Sequence, residues 1–228
     1  MTDILNNIDA VIFDIDGTLV DSLYIWAEID IEFLGSFGLA VPDDYEGVIM
    51  GMSFVQVAEY TKERFNLPIS VEEIMSAWNR MAEEKYANEI EYKHGAQAFL
   101  EECKRRNIKM GVGTSNSRHL VSRLFARLKT DNYISVVLTS DEISNGKPAP
   151  DIYLEAAGRL GVRPERCLVF EDTIAGIEAG HNAGMKVCAV YDDATKDVDA
   201  QKQSTADYYI NNYYELMELS IKAHEDIG

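Results

Sequence analysis

The sequence predicts an α/β fold: a doubly wound, mainly parallel, Rossmann-like sheet with an α-helical domain inserted into it. Three observations predict it. Short apolar runs rich in β-branched residues alternate with helical patterns, as in a parallel sheet covered by helices on both faces. Glycines stand where helices should stop. One long helical interval interrupts the alternation near the start of the chain.

The first strand is Ala10–Phe13, apolar throughout, and Asp14-Ile15-Asp16-Gly17 follows it. The next clear strand begins only at Lys109, whereas a crossover between parallel strands needs about a dozen residues. The surplus looks helical. Trp26, Ile29, Phe33 and Phe37 fall on one face, Gly38 marks a stop, and 54–65 and 71–92 continue the pattern. Residues 21–92 are therefore expected to form an inserted helical domain, with 1–20 and 93–228 forming the α/β core. Further strands are expected at 109–113, 135–139, 167–170 and 186–191, and a weaker one at 207–210. Between them, Leu120, Leu124 and Leu128 recur every fourth residue, as do Ile152, Ala156 and Leu160. Gly161 and Gly184 sit at helix C-termini. Asp192-Asp193 reads as an ordinary loop, and the stretch from Tyr208 to Gly228 as a helical segment closing the core.

Composition narrows the function. At 228 residues with 46% hydrophobic content, the chain can bury a full core. No apolar run approaches the roughly 18 residues of a membrane span, and MTDILNNIDA has no signal-peptide pattern, so a cytoplasmic protein is expected. Cys103, Cys167 and Cys188 are odd in number and far apart, which argues against a disulfide framework. The formal net charge is −18, and the first basic residue is Lys62. Such a field repels nucleic acid and anionic membranes, so neither is expected as a partner. A site for an anion must supply its own positive charge. Oligomeric state is not legible.

Open α/β sheets bind ligands beyond the carboxyl ends of their strands, and here those ends are polar. Strand one ends in Asp14-Ile15-Asp16, the second in Thr114-Ser115-Asn116, and the fourth in Glu171-Asp172. The third leads to a loop with Lys147, stiffened by Pro148 and Pro150. Residues two apart on an extended chain point the same way, so Asp14 and Asp16 can converge, and Gly17 lets the backbone turn. Taken alone, that segment fits an acidic turn as well as a reactive pair. Carboxylates this close repel unless a cation intervenes, and Mg²⁺ prefers a few carboxylates plus exchangeable waters. An acid at a helix start explains one of Glu171 and Asp172 but not both. Thr114 to Ser117 can cap a helix or cradle an anion on its free N–H groups.

Together these segments resemble the haloacid dehalogenase superfamily, in its phosphatase and β-phosphoglucomutase-like branch with a helical cap after the first strand. FDIDGT, GVGTSNS, GKPAPDIY and VFEDTIAGIEAG resemble its four motifs in order, over nearly the whole chain. The resemblance implies a Mg²⁺-dependent phosphatase acting on a small phosphorylated metabolite. Asp14 would be the nucleophile, Asp16 the acid and base, and Thr114, Gly17, Ser115 and Asn116 the phosphoryl cradle. Lys147 would bridge phosphate and Asp14. Asp14, Asp16 through its carbonyl, Glu171 through water, and Asp172 would hold Mg²⁺. The second aspartate, Asp16, argues against carbon–halogen chemistry. The mutase branch grips a second phosphate with basic cap residues, but Phe54 stands where it would offer an arginine, and Arg80 is the nearest substitute. Hydrolysis is therefore preferred. A phosphosugar mutase is the alternative, and a phospho-accepting signalling module a weaker one, because a receiver needs no cap.

Overall fold

The structure is a computed structural model, which describes residues 4–49, 52 and 54–217. In chain order its elements begin with β1 (Ala10–Phe13), β2 (Val20–Asp21), α1 (Tyr24–Gly35), α2 (Tyr45–Ile49), α3 (Phe54–Phe65) and α4 (Val71–Asn88). There follow β3 (Glu91–Tyr92), α5 (Ala96–Arg105), β4 (Lys109–Thr114), α6 (Arg118–Leu128), β5 (Val136–Thr139) and α7 (Asp151–Leu160). The chain continues with β6 (Cys167–Glu171), α8 (Ile174–Asn182), β7 (Lys186–Val190), α9 (Asp199–Thr205) and β8 (Tyr208–Ile210). It divides into two compact units, Met1–Ser22 with Ile90–Gly228, and Leu23–Glu89.

The first unit is the α/β unit. Its six-stranded sheet has the order β5-β4-β1-β6-β7-β8, every neighbouring pair parallel. The strands can be all apolar because helices cover both faces. Alternate residues of β1 serve opposite layers. Ala10 and Ile12 join Val169, Val187, Ile152, Ala156 and Leu160 in one core. Phe13 points the other way, stacked on Phe170 with centroids 5.3 Å apart and edge-on to Phe99 at 6.2 Å. Burying each such ring contributes about 1.5–3 kcal/mol. β1 lies between β4 and β6, so the chain order reverses beside it, and the carboxyl end of β1 opens at that switch point.

Strand bounds match the sequence expectation to within a residue. Gly161 has φ 66° at the end of α7, and Gly184 has φ 74° just after α8. Among the described residues, all three cysteines are buried and none is in a disulfide, and no helix is long and apolar enough to cross a membrane. The expected helical closing segment is described only as far as residue 217; its remainder lies outside the described residues.

Two readings need correction. The helical pattern does not run to Tyr92: α4 stops at Asn88, and Glu91–Tyr92 pairs antiparallel with Val20–Asp21. The buried face of α1 is Ile25, Ile29, Phe33 and Leu34, with Trp26 half-buried and Phe37 exposed at its edge. The helix is apolar on most of its circumference, so periodicity does not single out the covered stripe.

The second unit is helical. Ser70 and Glu73 form a capping box at the start of α4. Trp78 on α4 packs edge-on to Phe33 of α1 at 5.5 Å and against Phe54 of α3 at 5.6 Å. The buried Lys85 of α4 is held by Glu28, Glu32 and Glu89.

Candidate active site

The carboxyl ends of β1, β4 and β6 and the loop before α7 bring the predicted residues to one rim. Asp14 follows β1 directly, its N–H donating to Phe170 O at 3.0 Å, so the ladder that builds the sheet also places this carboxylate. Lys147 reaches it from the loop, with Nζ 2.6 Å from Asp14 Oδ1 and 2.6 Å from Glu171 Oε1. The loop is anchored at both ends, by Asn145 Nδ2 donating to Asp151 and Asn182 Nδ2 donating to Pro148 O.

Glu171 is the hub. Its Oε1 accepts from Lys147 and from the Tyr153 hydroxyl at 3.0 Å. Its Oε2 accepts from the N–H groups of Asp172 and Thr173 and from the Thr173 hydroxyl, each at 2.9 Å. These donors use up the lone pairs of a carboxylate. Glu171 thus spends its charge on Lys147 and on Asp172 and Thr173, the two residues that lead into α8.

Burial dominates the electrostatics. It pushes the Asp14 carboxyl up to about 7, with Lys147 opposing and Glu171 and Asp16 adding to the rise. Burial raises Asp172 well above the usual carboxylate range, and repulsion from Glu171 and Asp14 raises it further. For Glu171 burial acts in the same sense, but Lys147 and the Thr173 bonds outweigh it and leave the pKa lowered. Lys147 is desolvated, yet its two carboxylate partners hold the ammonium well above its ordinary value.

Asp172 carries the feature that points to a cation. Its Oδ1 accepts from Thr18 Oγ1 at 3.0 Å, while Oδ2 is buried with no hydrogen-bond partner among the described residues. An unpaired buried carboxylate oxygen costs several kcal/mol unless a proton or an ion meets it. Among the described residues no group of three His, Cys, Asp or Glu side chains is arranged to hold a metal alone. A hard octahedral cation needs fewer, taking one or two carboxylates and completing its shell with water and substrate oxygens. Asp14 and Asp172 fit that requirement.

The Asp16 side chain is held by Ser22 and Asn116. Ser22 Oγ donates to Asp16 Oδ1 at 2.6 Å and Asn116 Nδ2 donates to Asp16 Oδ2 at 2.9 Å. Gly17 turns the chain with φ 73°. Thr114 is buried and accepts from Asn116 N–H at 3.1 Å, which leaves its own proton to donate. Ser115 is exposed, and Ser117 is the residue that caps α6. Arg80 belongs to the helical unit, exposed on α4, with Nη1 donating to Ser76 Oγ at 2.8 Å. Phe54 packs against Trp26 and Trp78 in that unit.

Sequence reasoning missed Thr18, Ser22, Tyr153 and Thr173 as supports. Tyr153 lies within GKPAPDIY, but no local pattern shows that its hydroxyl meets Glu171, 18 positions later. Only the first turn of α7 brings its hydroxyl back to Glu171.

A profile of the haloacid dehalogenase-like hydrolases matches residues 11–190. The chain belongs to that family. This hydrolase is 30% identical over 178 residues to the phosphorylated carbohydrates phosphatase of Thermotoga maritima, covering 78% of the chain and 82% of that protein. It is 29% identical over 187 residues to the pyrophosphatase PpaX of Bacillus cereus strain B4264, covering 80% and 83%. Among solved structures it resembles a candidate β-phosphoglucomutase from Thermotoga maritima, with a TM-score of 0.81, 26% identity and 94% and 99% coverage.

Proposed function

We propose that this hydrolase is a Mg²⁺-dependent phosphatase that cleaves a small phosphate monoester through an aspartyl-phosphate on Asp14. The observation that carries the reading is the pairing of Asp14 Oδ1 with Lys147 Nζ at 2.6 Å, beside an Asp172 carboxylate with one buried unpartnered oxygen. A relative named as a phosphatase of phosphorylated carbohydrates supports monoester cleavage, and one named as a pyrophosphatase supports the broader class of phosphoryl hydrolysis.

Asp14 and Asp172, with the Asp16 carbonyl, would hold Mg²⁺, which supplies charge neutralisation for the phosphoryl oxygens. The remaining chemistry belongs to side chains. An Asp14 oxygen attacks phosphorus as the ester P–O bond breaks, and Asp16 gives its proton to the leaving oxygen. Water then attacks the aspartyl-phosphate, Asp16 takes the proton, and Asp14 and inorganic phosphate are released. Lys147 neutralises charge on the phosphoryl group and Thr114 donates to one of its oxygens, in keeping with a reaction governed by positioning and electrostatics.

A phosphosugar mutase is the second reading, supported by the 26% identical structural relative. Phe54 in place of a basic residue favours hydrolysis. A screen of phosphorylated metabolites with Mg²⁺ tests both, reading inorganic phosphate and isomerised sugar phosphate. Phosphate release that stops with a chelator supports the proposal, and isomerisation exceeding release supports the mutase. No turnover of any ester by metal-replete protein overturns both.

A further inference from the structure

Beyond β8 the chain places Tyr213 in the interior of the α/β unit. Its ring is wholly buried, 5.4 Å from Phe99 and 5.4 Å from Phe170. Its N–H donates to His94 O at 3.0 Å and its hydroxyl donates to the Thr18 carbonyl at 3.1 Å. Thr18 is equally buried, and its own hydroxyl donates to Asp172 Oδ1 at 3.0 Å. These two bonds bridge 195 and 154 positions of sequence.

Ring packing explains why an aromatic residue stands at 213 but not why it carries a hydroxyl. A phenylalanine would fill the same space and need no acceptor. Nor does packing explain a threonine at 18 aimed at a carboxylate. The carboxylate torsion of an aspartate is soft and close to two-fold, so an unrestrained Asp172 could offer either oxygen in either direction. Holding one oxygen leaves the other in a single place.

We infer that Tyr213 and Thr18 are positioning residues that set Asp172 for cation binding. Thr18 takes Oδ1 so that the unpartnered Oδ2 is presented, and Tyr213 fixes the main chain from which Thr18 acts. Partners behind a metal ligand commonly change metal affinity by about 10–100-fold when removed. The inference rests on the Mg²⁺ reading of the site and deepens it.

The test is calorimetric titration of the full metal-free chain with MgCl₂ alone, beside thermal melting of each variant. Thr18→Val should weaken Mg²⁺ binding by about tenfold, and Thr18→Ser should restore it to within about twofold. Tyr213→Phe, one bond further from the ion, should weaken binding roughly threefold. The Mg²⁺ half-saturation of turnover should rise by the same factors. A purely structural role would lower melting temperature and leave Mg²⁺ affinity unmoved. If Thr18→Val does not fold, Tyr213→Phe decides the matter. Wild type that binds Mg²⁺ while the folded variants bind it equally well overturns the inference alone. Wild type that binds none overturns the metal reading and the inference with it.

Discussion

The carboxylate of Glu171 occupies the space that a side chain at Gly176 would need. A Cβ built at position 176 would lie 1.7 Å from Glu171 Oε1 and 1.9 Å from its Cδ. The acid is thereby seated over the first turn of α8, where Thr173 caps the helix by accepting from Gly176 N–H at 3.1 Å. Gly176→Ala should therefore expel a fully paired buried carboxylate. Breaking such a pairing costs about 3–5 kcal/mol. Urea unfolding should show a loss of that order, together with loss of phosphatase turnover.

Lys147 neutralises two buried acids at once. Lys147→Met keeps most of the side-chain volume and leaves Asp14 and Glu171 facing each other without a cation. Stability in chelator should fall by about 3–5 kcal/mol, and turnover at saturating Mg²⁺ by about 10²–10³-fold, the usual loss for one electrostatic group at a reacting centre. Steady-state kinetics and unfolding curves on the same preparation check both.

Tyr153 donates to a charged, fully buried acceptor, and its ring centroid lies 5.2 Å from Lys147 Nζ. Tyr153→Phe preserves the ring and deletes the hydroxyl. A hydrogen bond to a charged group contributes about 1.5–3 kcal/mol, so the unfolding midpoint should drop accordingly, with the far-ultraviolet spectrum unchanged.

The helical unit has its own pH dependence. Burial first, then repulsion from Glu46, pushes Asp30 on α1 from an ordinary 3.8 up to about 7. The folded state thus holds this proton more tightly than the unfolded chain does. Its stabilising contribution is complete below about pH 4 and is lost as pH rises through about 7. Asp30→Asn should stabilise the fold at pH 8 by up to a few kcal/mol after allowing for partial exposure, read as a higher melting temperature. It should change little at pH 4. Equal gains at both pH values would contradict the assignment.

Much of the frame is legible because parallel strands covered on both faces are unbroken apolar runs. Polar residues at the end of such a run stand out, which is why Asp14, Thr114, Glu171 and Asp172 can be named from sequence. What cannot be read lies in short or long-range features. β2 and β3 have two residues each and show no period. Asp192 reads as an ordinary loop acid, yet it is buried and paired with Lys93, 99 positions earlier. Tyr153, Thr18 and Tyr213 act through single hydroxyls whose partners are set by the sheet order, and no local pattern announces that. The Asn116 amide donates to Asp16, a contact spanning 100 positions that no local pattern shows.

The central claim is that Asp14 becomes covalently phosphorylated during turnover. The most direct measurement is acid quenching of the enzyme while it hydrolyses a good aryl phosphate with Mg²⁺, followed by mass spectrometry of the peptide containing Asp14. The account predicts a phosphoryl adduct on Asp14 that disappears with chelator and in Asp14→Asn, which should also lose turnover. Full turnover by Asp14→Asn, or an adduct on another residue, would contradict it.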